Sequence, residues 1–283
     1  MRAIDIHVHP PDQPGSPPDP IMEQMRRYFR QTSPPPADPA EFAALFQKLD
    51  ILAVLFPVNR ETVDGRPFMG NDWVAEIVKQ FPKQFITFCS VDPWTGRKAI
   101  NELERCVGDL GARGLKVHPP GQGFAPNDHR FYPLWARCQE LRIPVIAHSG
   151  HAARGAGMPG GAGVHLKYGD PMLWDDVAAD FPELKIILAH PSWPWQSQQI
   201  SICIHKANVY MDISGWSPKY FPAELVNEIN SRIQDKVLFG SDHPFLSVER
   251  WLRDWEEVVA PKLKPEVKQK IMLDNARKLL GIP

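Results

Sequence analysis

Cysteine is scarce in this chain: Cys89, Cys106, Cys138 and Cys203 are its only four, far apart and without a CxxC pair. They fall in segments that read as strand or amphipathic helix, so they are expected to be reduced core thiols and not a disulfide framework. Long apolar runs are missing too. None approaches the roughly 18 residues that cross a bilayer, and the opening MRAIDIHVHP is too short and too polar for a signal peptide. The expectation is a soluble, cytoplasmic protein with no membrane partner. No excess of one charge is present, since 32 Lys plus Arg nearly cancel 33 Asp plus Glu. Without a positive field or a dense basic run, nucleic acid is not an expected partner. Finally, no internal repeat or interdomain linker interrupts the chain, so one domain over residues 1–283 is expected.

What the sequence does contain is a short β-branched or apolar run followed by a helical pattern, eight times over. The expected strands are AIDIHVH (3–9), ILAVLF (51–56), QFITFCS (84–90), RGLKVH (113–118), IPVIAH (143–148), KIILAH (185–190), NVYMDIS (208–214) and KVLFGSD (236–242). Between them lie patterns such as DPAEFAALFQKLD, in which Asp38 caps a helix, Pro39 takes its first position and Glu41 completes a capping box. The helix near QSQQISICIHK carries the weakest signal. A closing helix, PEVKQKIMLDNARKLL, ends the chain. At 283 residues, 43% hydrophobic, the chain matches an α/β fold of the (β/α)₈ TIM-barrel type, which runs to about 250 residues. An open doubly wound sheet would often show a glycine-rich nucleotide turn after its first strand. That strand ends instead in HVHPP. The Pro-rich stretch from Pro10 to Pro39 reads as a long loop over the barrel mouth.

Strand ends are where this fold builds sites, and five of the expected strands end in a metal-binding residue: His7 with His9, His118, His148, His190 and Asp242. Side chains alternate along a strand, so His7 and His9 share a face. That face looks into the barrel if Ile4, Ile6 and Val8 pack against helices, and the same parity puts Asp5 inside. In the last strand Leu238, Gly240 and Asp242 would face inward, bringing Asp242 beside the first strand on closure. Neutral imidazoles and a carboxylate suit Zn²⁺ or Mn²⁺, with a position left open for water or substrate.

HVHPP at the start, AHSG after strand five, AHPSWPW after strand six and LFGSDHP at strand eight resemble the amidohydrolase-related family. That family includes aminocarboxymuconate-semialdehyde decarboxylase and γ-resorcylate decarboxylase. The resemblance spans the chain in motif order. It implies that His7, His9, His148 and Asp242 ligate one divalent metal, zinc first and manganese as the alternative. It also implies that His190 stands near as an acid–base or polarising group, and that the protein forms a homodimer. Where binuclear relatives carry a carboxylated lysine, this chain has His118, with Lys116 two residues deeper, so one metal is expected. Lys116 reads as a buried ammonium paired with Asp5 or another carboxylate. His118 is open between substrate, a second cation and the cavity wall.

The expected substrate is a small molecule. Loop five, GHAARGAGMPGGAGVHLKYGDP, brings Arg154, His165, Lys167 and Tyr168, cations and a ring able to clamp a carboxylate. Trp193, Trp195, Trp216 and Tyr220 follow strands six and seven, and Trp193 and Trp216 in particular suit a flat, apolar substrate. In a hydrolytic reaction Asp242 and the metal generate hydroxide and Asp242 passes the proton on. In a decarboxylation an acid protonates the ring carbon before CO₂ leaves. The chain's shorter length also resembles hydrolases of aromatic β-ketoacyl-CoA compounds, so hydrolysis is the first expectation and decarboxylation the alternative. A non-catalytic binding barrel would be expected to lack part of this ligand set, and a metal-dependent nuclease to carry basic loops and acidic residues where Lys116 and His118 stand.

Overall fold

A computed structural model describes residues 1–15, 19–31 and 38–282. Its strands, all parallel, are β1 (Ala3–Val8), β2 (Ile51–Leu55), β3 (Phe85–Thr87), β4 (Cys89–Ser90), β5 (Leu115–Val117), β6 (Val145–His148), β7 (Ile186–Ala189), β8 (Val209–Asp212) and β9 (Val237–Leu238). β1 to β3 and β4 to β9 pair in chain order. Two junctions close the ring. Phe88 N donates to Leu55 O and Cys89 N to Gly114 O, both at 2.9 Å, so β3 and β4 are halves of one stave. At the other junction Ile6 N donates to Phe239 O at 2.9 Å and Val8 bridges His243. The eight staves form the TIM barrel that the alternating pattern predicts.

The helices between staves follow the sequence reading. Helix Pro39–Leu49 starts as expected, Asp38 accepting from Ala40 N at 2.8 Å with Pro39 in the first position. The stretch with the weakest signal is the helix Gln196–His205, which buries Ile200, Ile202 and Cys203 against the sheet. All four cysteines are free and buried. Among the described residues no helix is long and apolar enough to cross a membrane.

Two features depart from expectation. The Pro10–Pro39 stretch is not loop throughout: it holds a helix, Pro20–Tyr28, whose first turn is capped by Asp19 accepting from Ile21 N at 2.9 Å. Proline fits the first turn because its missing N–H has no helical partner there. Residues 16–18 and 32–37 of that stretch lie outside the described residues.

The second correction concerns β1. Ile4 and Ile6 do not pack with the covering helices, as simple alternation predicts, but with Val54, Phe56, Phe88, Ile146, Ile187 and Leu238. Lys116, Ile146, Ile187 and Tyr210 are successive partners across β5 to β8 and share one face. Lys116 on that face meets His7, so this cluster is the barrel interior. The cause is a register shift: Asp5 pairs with Ala53 but Val8 with Leu55, three residues opposite two. The extra residue reverses the parity below and above it, so Ile4 and His7 both reach the interior while Ala3 and Val8 join the outer core. Leu273, Ala276 and Leu280 of the C-terminal helices close the lower end.

Candidate metal centre

His7 is buried at the top of β1, and His9 lies two residues on with 19% of its side chain exposed. Asp242, at the end of the neighbouring stave, brings Oδ1 to 3.3 Å from His7 Nε2 and 3.2 Å from His9 Nε2. These three form one group able to hold a cation. His7 Nδ1 donates to Asp212 Oδ2 at 2.9 Å, with Ser214 Oγ at 3.0 Å, which leaves the Nε2 lone pair facing the space between Asp242 and the Lys116 ammonium. Asp212 follows from the strand NVYMDIS, yet the sequence reading missed it. Its signal was a carboxylate inside an apolar strand, two residues from Tyr210 on the interior face.

Electrostatics suit metal donors. Burial, with Lys116 beside it, holds His7 down to about 3, and burial lowers His9, so both imidazoles are neutral. Burial alone would raise Asp242, but the His9 hydrogen bond and the His7 and His190 rings outweigh it and keep the carboxylate ionised. Asp212 follows the same balance: burial pushes up, His7 pulls further down. Two neutral imidazole nitrogens and a carboxylate oxygen, open on the His9 side, fit a divalent transition ion.

His190 and Asp242 both hold left-handed backbone, at φ 69° and 67°. Such strain costs on the order of 1–3 kcal/mol at a non-glycine residue and persists where the surroundings over-determine it. Gly215 explains part of the fit. A Cβ there would lie 2.5 Å from His190 Nδ1, so only glycine lets this chain segment pass behind the two side chains.

The other sequence-predicted residues divide. His148 borders the group without joining it: its Nδ1 is 3.1 Å from His190 Nε2, and its Nε2 is 3.2 Å from the His151 carbonyl. His118 stacks on His148 with centroids 3.9 Å apart, and its Nδ1 accepts from Gly121 N at 3.0 Å. Its neutral ring therefore carries the proton on Nε2. Lys116 has no carboxylate within ion-pair distance among the described residues; its Nζ lies 3.2 Å from His7 Nε2 and over the Phe56 ring, and burial holds it down to about 8. The expected pairing with Asp5 is absent because Asp5 instead accepts backbone N–H groups.

Above the group opens a cavity of about 410 Å³ lined in part by Arg60, His118, Arg154, Trp216, Phe29 and Phe245. Arg154 and Arg60 share Asp64. Trp193 departs from expectation: it does not line the cavity but packs, 47% exposed, against Trp216 and His151. His165 and Lys167 of loop five also lie on exposed turns outside it. The helix Pro20–Tyr28 forms the roof, adding Met22, Met25 and Tyr28 to the lining, and Gln24 ties it to Ala153 O, Ala156 O and Gly155 N of loop five. Sequence reasoning missed these roof residues.

A family model of amidohydrolases matches residues 4–282. The chain belongs to the amidohydrolase family. This amidohydrolase is 26% identical over 258 residues to the gamma-resorcylate decarboxylase of Polaromonas sp. (strain JS666), a match covering 75% of each chain. It is 25% identical over 202 residues to a 2-amino-3-carboxymuconate-6-semialdehyde decarboxylase of Dictyostelium discoideum, where the match covers 62% of this chain and 55% of that enzyme. A match to a 2-keto-4-carboxy-3-hexenedioate hydratase of Sphingobium sp., 31% identical, covers only 42% of this chain and 38% of the hydratase. Among solved structures, an uncharacterized TIM-barrel protein from Bordetella bronchiseptica superposes over 99% of both chains with a TM-score of 0.81 and 26% identity. A dihydroxybenzoic acid decarboxylase from Polaromonas sp. JS666, solved with bound manganese and 2-nitroresorcinol, shares the fold at a TM-score of 0.64 and 20% identity over 99% of this chain and 97% of its own.

Proposed function

We propose that this amidohydrolase removes CO₂ from a small aromatic or muconate-type acid with the help of one divalent metal. The observation that carries this reading over hydrolysis is that relatives matched over 75% and 62% of the chain are decarboxylases. The cavity supports it, joining flat apolar walls from Phe29, Phe245 and Trp216 to the donors Arg60, Arg154 and His118 above the ligand group.

His7, His9 and Asp242 would hold the metal, and His148, beside them, would become a fourth donor only by giving up its contact with His190 or with the His151 carbonyl. Zinc and manganese both accept this donor set. When bound, a divalent ion would supply positive charge that stabilises anionic groups of the substrate. Asp242 is ionised and has two oxygens, so one could stay with the ligands while the other takes a proton from a substrate hydroxyl or a water and passes it to the ring carbon that bears the carboxylate. The carbon–carbon bond then breaks, its electron pair returns to the ring, and CO₂ leaves. His190, bonded to His148 and Ser214, stands next to this exchange as the polarising group. His118 Nε2–H is a donor for a substrate oxygen.

The test is a screen of zinc- and manganese-loaded protein against aromatic carboxylates, lactones and acyl-CoA thioesters, with CO₂ release and hydrolysis followed separately. CO₂ release from a hydroxybenzoate or muconate-type acid is the expected result. Turnover of lactones or thioesters with no CO₂ from any acid would overturn the reading.

A further inference from the structure

The seam between the first and last staves carries His7 on one side and Asp242 on the other, yet its backbone ladder is broken there. Ile6 N reaches Phe239 O at 2.9 Å, and a regular parallel ladder would next take Ser241 N to the Ile6 carbonyl. Ser241 N instead donates to Asp5 Oδ1 at 2.9 Å. The same oxygen accepts from His7 N at 3.2 Å. The ladder resumes one residue later, with Asp242 N on the His7 carbonyl at 2.9 Å and His9 N on the His243 carbonyl at 2.8 Å.

This substitution follows from the register shift in β1. Between Asp5 and Val8 the strand has one residue more than β2 opposite it, and a bulge leaves local backbone groups without their ladder partners. Asp5 is wholly buried, and its other oxygen, Oδ2, has no hydrogen-bond partner among the described residues. A buried carboxyl oxygen left unpartnered is costly, so the residue type here answers a specific need at Oδ1. That need is an acceptor reaching two amides on two staves: the amide of His7 itself and the amide of the residue just before Asp242. We infer that Asp5 is a positioning residue that fixes the separation of His7 and Asp242, and so sets the affinity of the metal centre. This inference rests on His7 and Asp242 being ligands, and not on which reaction the centre serves.

The experiment measures Mn²⁺ and Co²⁺ dissociation constants, and the visible spectrum of the Co²⁺ form, for wild type, His7→Ala, Asp5→Leu and Asp5→Asn. Leu removes the acceptor, and loss of a group that orients a ligand typically weakens metal binding about 10–100-fold. Asp5→Leu should therefore bind in that weakened range with an altered Co²⁺ spectrum. Asn keeps one carbonyl oxygen for the two amides and should restore affinity to within about threefold of wild type, because the acceptor is what the strap requires. Should the Leu variant fail to fold, Asp5→Ala takes its place as the variant without an acceptor, and a loss of tenfold or more in folded Asp5→Asn overturns the strap. A folded Leu variant with wild-type affinity and spectrum also overturns it. Wild-type affinity in His7→Ala would instead sink the ligand reading, so the two failures are told apart.

Discussion

In β6, Ile146 and His148 lie two residues apart on the same interior face, and they belong to different environments. Ile146 sits in the lower layer with Ile4, Val54, Phe88, Ile187 and Leu238, where, apart from the ammonium of its neighbour Lys116, stabilisation comes from area removed from water. His148 sits in the upper layer, where His7, His190, Asp212 and Asp242 are nearly as buried. There each polar group depends on another: Asp212 on His7, His190 on His148 and Ser214, Asp242 on His9. The difference teaches that one set of staves separates stability from chemistry by a rise of two residues. The lower layer tolerates its neighbours as volume; the upper layer requires them as specific atoms.

Substitutions in the two layers should therefore fail differently. The largest effect is expected from His7→Ala, which removes a donor from the proposed metal set: elemental analysis should find metal content well below one equivalent and activity should fall to background, with the circular dichroism spectrum retained. Asp242→Asn keeps the shape but not the basicity, so it should retain much of the metal while kcat falls about 10²–10⁴-fold. If it loses less than about tenfold at saturating substrate, proton transfer belongs to His190. In the lower layer, Ile146→Ala should cost about 2–5 kcal/mol in denaturant unfolding and leave metal content and kcat near wild type. A drop in metal affinity there would erase the separation between layers. The smallest effect is expected from Trp193→Ala. Its ring lies outside the cavity, so stability should change by about 0.5 kcal/mol or less and kcat/KM by no more than about twofold.

Much of this architecture was legible in the sequence, and the limits have physical causes. Eight strand-then-helix patterns predict the eight staves because parallel strands buried on both faces must read as apolar runs. His7, His9 and Asp242 converge as alternation predicts, since the chain above the bulge keeps strict parity. For Ile4 and Ile6 simple alternation gives the wrong side, because a single extra residue in β1 flips parity without leaving a glycine or proline to mark it. The Pro20–Tyr28 roof reads as loop in the sequence because proline marks a helix start as readily as a chain break. Asp212 was missed among strand-end histidines, although a carboxylate two residues along an interior face was a visible clue. Trp193 adjoins His190 in sequence, but the turn that follows directs its ring outward against Trp216.

The central claim, that the metal centre serves decarboxylation and not hydrolysis, is tested most directly by turnover in isotopically labelled water. For an acid that the loaded enzyme consumes, the organic product is analysed by mass spectrometry after reaction in D₂O and, separately, in heavy-oxygen water. Decarboxylation predicts one solvent deuteron on the carbon that lost CO₂ and no solvent oxygen in the organic product. Solvent oxygen in that product, with its carboxyl carbon retained, would contradict the account.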